Sequence, residues 1–343
     1  MVERIKTTIY LATADGLAVI TGSNEHWHGD TRLNGKQVQC VSCASSRPDI
    51  VYCGTFGDGI FRSSDGGATW RSCDGFTRRN VTSLALSESQ RAAGSHVVYA
   101  GTEPSALFRS DDGGETWRDL PGLLTLPSAG EWSFPPRPQT HHVRFILPDP
   151  EMPGRLHVAV EAGALLRSDD GGQTWRDRVP GGPRDTHTLA VHPKARGRLY
   201  SAAGDGYFES TDGAETWRRI HDGLQHGYCW SVAVSLGDPD TILLTSSRTA
   251  REAHTKASAN SFVYRRSSRE PWREARQGLP ASQGRRIALV AASTIEPDVF
   301  YLFSEGALYR SADRDMQWQR LTIEWPHDSR PAHAVALAIV ESN

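Results

Sequence analysis

The sequence predicts an all-β fold: a seven-bladed β-propeller of four-stranded antiparallel blades, its first blade closed by the C-terminal strand. Three observations carry this. A Ser-x-Asp turn ending in Thr-Trp recurs along the 343 residues, clearest at Ser63 to Trp70, Ser110 to Trp117 and Ser168 to Trp175. Short apolar runs flank each copy, as in Gly59-Ile60-Phe61-Arg62 before the first, which is hairpin patterning. The tryptophans of the series recur about every 48 residues, the length of one four-stranded blade.

The turn explains its own composition. An Asp carboxylate accepts hydrogen bonds from backbone N–H groups further along, and a Gly-Gly pair supplies positive φ at little steric cost. The tryptophan opens the outgoing strand and offers a flat apolar surface to the next repeat. One Asp and a Trp do not make a calcium loop, which needs several alternating oxygen ligands and a distal Glu. The fourth copy, Ser210 to Trp217, keeps Asp212 and Thr216 but has Ala214 at the second glycine. The fifth, Ser311 to Trp318, keeps Asp313 and the spacing without the glycines. Trp272, after Tyr264-Arg265-Arg266-Ser267, and Trp27 complete a series of seven.

These units set the blade boundaries within a single domain, 1–343. They run 5–32 together with 332–341, then 36–73, 80–120, 140–178, 185–220, 226–275 and 285–321. Thr188-Leu189-Ala190-Val191-His192 reads as an inner strand, Leu199-Tyr200-Ser201-Ala202 as a second. The first unit starts directly on a second strand, Thr8-Ile9-Tyr10-Leu11, and lacks an inner one. The apolar stretch 334–340 supplies it, and ring closure of this kind removes open sheet edges.

The turns resemble the Asp-box, or BNR, repeat of the sialidase-like β-propellers, a superfamily that includes photosystem II assembly factor-like proteins. The resemblance covers nearly the whole chain. Related repeats occur in sialidases, some endoglycanases and sortilin-type receptors, so it implies a fold and leaves the function open. Sialidases are similar to one another in an arginine triad, a Tyr-Glu nucleophile pair, an Asp acid and an N-terminal Arg-Ile-Pro motif. Here Arg-Ile-Pro is absent, and Arg4 and Arg32 lie outside such a context. Tyr228 is a candidate for the tyrosine, with no Glu assignable as its partner. Sialidase activity is not supported.

Composition narrows the partners. A net charge of −2, with no basic patch interleaved with aromatics, argues against nucleic acid. No apolar run approaches a membrane span, and Met1-Val2-Glu3-Arg4-Ile5-Lys6 does not start a signal peptide, so no membrane association is expected. Five cysteines, an odd number, point to reduced thiols and a cytoplasmic location. Cys40 and Cys43 lie three apart on a strand and diverge, which reads as structural burial rather than a redox or zinc pair. No nucleotide cofactor is expected. His26 and His28 fall on the rim of the repeated turns and read as surface residues.

The opposite rim opens onto the central channel, and enzymes of the resembling family use that face. Glu103 and Glu161 occupy equivalent loop positions there, six residues before Arg109 and Arg167. Two long loops converge on it: 120–140, with Trp132, Phe134 and Pro135-Pro136-Arg137-Pro138, and 246–261, with Arg248 and His254. The first reading is an enzyme acting on a small polar or anionic molecule at the channel mouth, a metal-assisted lyase or hydrolase. His142, His187 and His333 would hold a divalent transition metal, since imidazoles from different blades suit such an ion. Glu103, Glu161 and Tyr228 are the catalytic candidates. Arg144, Arg248 or Arg286 would hold the anionic group, and Trp230 and Phe56 would form the apolar wall. The second reading is a non-catalytic module that docks a protein partner through the 120–140 loop. A third is a glycoside hydrolase with Glu103 and Glu161 as its carboxylate pair.

Overall fold

The computed structural model describes residues 5–23, 26–92, 94–268, 270–312, 317–326 and 330–342. Seven antiparallel sheets surround one axis. Blades 2, 3, 5, 6 and 7 each have four strands running outward in chain order. Their inner strands are Val38–Ala44, Val81–Ala92, Thr186–Val191, Tyr228–Val234 and Leu289–Ala292. Blade 4 begins with Val143–Pro148 and has three strands, its fourth reduced to a bridge between Arg167 and Arg176. Among the described residues no helix is long and apolar enough to cross a membrane.

Blade 1 is closed as the sequence predicts. Ala336–Ser342 pairs antiparallel with Lys6–Thr13, matching Leu337 to Leu11, Ile339 to Ile9 and Val340 to Thr8. Glu341 locks the end of the strand. Its buried carboxylate accepts hydrogen bonds from Ser293 Oγ (2.5 Å) and from the backbone N–H of Thr294 (2.7 Å) on blade 7. A short segment, Ile323–Glu324, adds outside His26–Arg32 in parallel and makes this sheet five-stranded.

The repeated turns are self-satisfied. Asp112 accepts from Ser110 Oγ (2.8 Å), Thr116 N (2.9 Å) and Thr116 Oγ1 (2.5 Å). Asp170 and Asp212 repeat these bonds. Gly113 and Gly114 both have positive φ, as the turn requires. Asp313 of the fifth copy lies outside the described residues.

Apolar side chains gather into seven clusters among the described residues, one per blade junction, and each holds one tryptophan of the series. Each tryptophan faces the preceding blade, not the next one as the repeat order suggested. Trp117 meets Phe76 edge-on at 5.1 Å, and Trp272 meets Tyr207 at 4.9 Å. Trp318 Nε1 donates to Ala275 O across the junction (3.0 Å). In two junctions a tyrosine from the blade before also anchors the turn. Tyr10 Oη donates to Gly66 O (2.9 Å) and Tyr52 Oη to Gly113 O (2.7 Å). Cys40 and Cys43 enter different junctions, and burial pushes the Cys40 thiol up to about 12.

Candidate functional site at the channel mouth

The seven inner strands, with the residues just before them, line an axial channel of about 540 Å³. At the end away from the repeated turns it opens into a cavity of about 680 Å³. Five inner strands carry a β-bulge near their start, passing over Gln39, Thr82, Arg144, His187 and Trp230 in the pairing. A bulge leaves one residue outside the ladder and re-aims its side chain. Four of these five line the mouth cavity, and His187 lines the channel immediately below.

The loops after the second strands add Phe56, Glu103 and Glu161. The 120–140 loop folds over them. Its Arg137 grips Glu103 with two bonds (2.9 and 2.6 Å) and lies over the rings of Phe134 (4.9 Å) and Phe56 (5.8 Å). The 246–261 loop forms one helical turn, Ala250–His254, capped by the Thr249 side chain. That turn sets His254 edge-on to Trp230 at 4.3 Å, with Nε2 3.0 Å from Tyr228 Oη.

Charge is unevenly compensated. His142 stands between two carboxylates, with Nε2 bonded to Glu161 at 2.8 Å and Nδ1 3.7 Å from Glu103. Burial works to raise the Glu161 carboxyl, but the His142 hydrogen bond and the Arg144 and His187 charges outweigh it and hold the group at about 2. His187 is fully buried. Its Nδ1 donates to Cys229 O (2.6 Å), which turns Nε2 toward Asp185 (3.6 Å), Glu161 (3.9 Å) and Tyr228 Oη (3.5 Å). Burial raises the Asp185 carboxyl, the Glu161 charge adding to the effect and His187 opposing it. Burial also pushes the Tyr228 phenol far up, leaving it a proton donor; His254 is exposed on its outer side, but the desolvation of a ring packed on Trp230 and Tyr228 lowers its imidazole.

Arg144 is the exception to local pairing. Its guanidinium lies over Trp230 at 4.6 Å and is mostly buried. Its nearest carboxylate oxygen, on Glu161, is 3.5 Å from Nε, and Nε makes no hydrogen bond.

Of the residues expected from sequence, Glu103, Glu161, Tyr228, Arg144, Trp230, Phe56 and His142 share this cavity, with His187 at its base. Three do not join them. His333 lies beside blade 7, where burial and the Arg286 charge push its imidazole down to about 4. Arg286 is tied to Glu305 (2.9 Å), which also takes Lys256 (2.6 Å). Arg248 is exposed and lines neither the mouth cavity nor the channel. The expected three-histidine metal set is therefore not assembled, and the Nε2 of His142 is engaged by Glu161. Trp132, expected as a docking residue, is instead buried at the blade 3–4 junction with Nε1 bonded to Ser128 (3.0 Å). Sequence reading missed Asp185, His254, Phe134 and Arg137 as site residues. Asp185 carried a usable signal, since it precedes His187 by two residues at the start of an inner strand.

No protein-family model and no curated protein matches the chain. In three dimensions it is similar to a GH74 enzyme from Niastella koreensis: 16% identity, TM-score 0.68, over 91% of this chain and 52% of that one. It is also similar to an ancestral GH74 enzyme (15%, TM-score 0.62, 98% and 40%). A third similar structure is YCF48 bound to D1 peptide (15%, TM-score 0.56, 83% and 81%). The chain spans about half or less of the length of these GH74 structures. At such identities the likeness establishes the propeller fold alone.

Proposed function

We propose that the protein is an enzyme acting on a small anionic molecule at the channel mouth, a metal-assisted lyase or hydrolase. The observation that carries this reading is Arg144. A mostly buried guanidinium whose Nε has no hydrogen bond and whose ion pair with Glu161 is long (3.5 Å) is incompletely satisfied, and a bound anion would supply the missing acceptor. Trp230 behind it, with Phe56 and Phe134 opposite, gives the bound molecule an apolar wall. Tyr228, backed by His254, is the group placed to move a proton, and Glu161 is the fixed negative charge.

The geometry favours this over a two-carboxylate glycosidase. Such a pair needs one carboxyl that carries a proton near neutrality, whereas Glu161 is held at about 2 and Glu103 is clamped by Arg137. It also favours the enzyme over a docking module that uses the 120–140 loop. The aromatic residues of that loop are turned inward, and Leu124 is the one exposed large hydrophobic residue among those described.

The test is a thermal-shift and calorimetric panel of citrate, glucuronate and glycerol phosphate on the wild type and Arg144→Gln. At least one probe should stabilise the wild type, with affinity at least about tenfold weaker in the variant. Failure of all three probes, or equal binding to both proteins, overturns the proposal. Stoichiometric retention of a protein partner that survives Arg144→Gln would favour the docking module.

A further inference from the structure

We infer that Glu161, Asp185 and His187 form a site for one divalent first-row metal ion of the manganese or zinc type, at the base of the mouth cavity. This deepens the small-molecule reading of the mouth and rests on it. One ligand atom from each residue lies within 4.8 Å of the others, the one such group among the described residues. His187 Nε2 is 3.6 Å from Asp185 Oδ1 and 3.9 Å from Glu161 Oε1. Ligands about 2.1 Å from a tetrahedral ion stand roughly 3.4 Å apart, so His187 would draw a few tenths of an ångström closer to each carboxylate, and the two carboxylates, within 4.8 Å of each other, would close on the same ion.

Each ligand is already positioned by a hydrogen bond. His142 Nε2 engages the other Glu161 oxygen (2.8 Å), the Ala162 N–H donates to Asp185 Oδ1, the oxygen that faces His187 (2.7 Å), and Cys229 O accepts from His187 Nδ1 (2.6 Å). The last contact puts the Nδ1 proton on a carbonyl and turns Nε2 toward two carboxylates, the usual outer-shell arrangement of a metal-ligating histidine. Two carboxylates and one imidazole suit manganese or zinc better than magnesium or calcium.

Gly204 makes the room. It occupies the loop position that holds Glu103 in blade 3, Glu161 in blade 4 and Glu305 in blade 7, directly after the second strand. A Cβ there would lie 2.0 Å from Asp185 Oδ2. The absence of a side chain in blade 5 is what lets Asp185 reach toward His187. Three protein ligands with Tyr228 and the cavity on the remaining side leave an open position, the pattern of catalytic rather than structural sites. The ion would polarise an oxygen of the bound molecule whose anionic group sits on Arg144.

The experiment uses tag-free full-length protein stripped with EDTA, titrated with Mn²⁺ and Zn²⁺ by calorimetry, with electron paramagnetic resonance of bound Mn²⁺. One ion per chain should bind at micromolar concentration or tighter. Asp185→Asn and His187→Gln should each weaken binding at least about tenfold. Gly204→Ala should do likewise without altering any ligand, while His333→Ala should change nothing. Circular dichroism and melting curves establish that each variant is folded. A wild type that binds neither ion below millimolar, or binding that survives both Asp185→Asn and His187→Gln, overturns the site. Running the anion panel on metal-free protein separates the two claims: an Arg144-dependent response without ion binding leaves the small-molecule reading standing and removes the metal.

Discussion

The rim of repeated turns and the mouth rim are made from the same strands, yet they treat polar groups in opposite ways. At the turns, each described aspartate is answered by the Ser and Thr of its own repeat, as Asp112 is by Ser110 and Thr116. At the mouth, satisfaction is incomplete: Arg144 Nε and His142 Nδ1 are buried without a hydrogen bond. Even equivalent positions diverge. Glu305 takes two hydrogen-bonded cations, Arg286 of its own blade and Lys256 from blade 6, whereas Glu161 has one such bond, to His142, and longer contacts with Arg144 and His187. Groups that satisfy one another hold the ring together; groups left waiting mark where a ligand belongs.

The contrast can be broken experimentally, and the largest effect should come from the closing strand. Deleting 335–343 would bare the inner edge of Lys6–Thr13 and remove Glu341 from its blade 7 partners. Loss of the cooperative melt is expected, and a melt like that of the wild type would show that closure is dispensable.

Next is His157, at the end of its strand nearest the repeated turns and an exception on that rim. Both its ring nitrogens are buried without a partner, and burial, reinforced by Arg167 and Arg155, pushes the imidazole down to about 3. Its folded value lies below the unfolded one, so the unfolded chain takes up the proton first. The neutral ring's stability is intact above pH 6.5 and falls as pH drops toward 3. About 2 kcal/mol should be lost at pH 5 relative to pH 7.5. Urea melts of His157→Leu should lack that component; an unchanged pH profile would contradict it.

Asp170→Ala should cost about 1 kcal/mol, the scale of a lost cap, because its bonds are largely exposed to water. It should leave anion and metal binding untouched, and weakened binding would mean that the two rims are coupled. The smallest effect on stability should be that of Arg144→Gln. Melting should stay within about 0.5 kcal/mol of wild type or rise, because the ion pair removed is long and the buried Nε has no hydrogen bond to lose. A large loss of stability in this variant would make Arg144 structural.

How legible each rim was follows from the same contrast. The turns repeat, so Asp112 or Trp175 could be read from spacing alone, and ring closure from a missing first strand and a surplus last one. The direction of each tryptophan could not, because it depends on contacts across the junction, as of Trp117 with Phe76 and Trp272 with Tyr207. At the mouth, residue types and loops were visible, but not which of them meet. His142, His187 and His333 look alike in sequence, yet only the first two reach Glu161.

The sequence by itself determined the number of blades, their order and the closure, because hairpin patterning and turn chemistry act over a few residues and repeat seven times. Tertiary structure decided the site. The bulges that turn Arg144, His187 and Trp230 toward the axis are set by pairing with a neighbouring strand. The space that admits Asp185 is the missing side chain of Gly204, nineteen residues away. Neither has a local signature, since both arise from where separate strands meet.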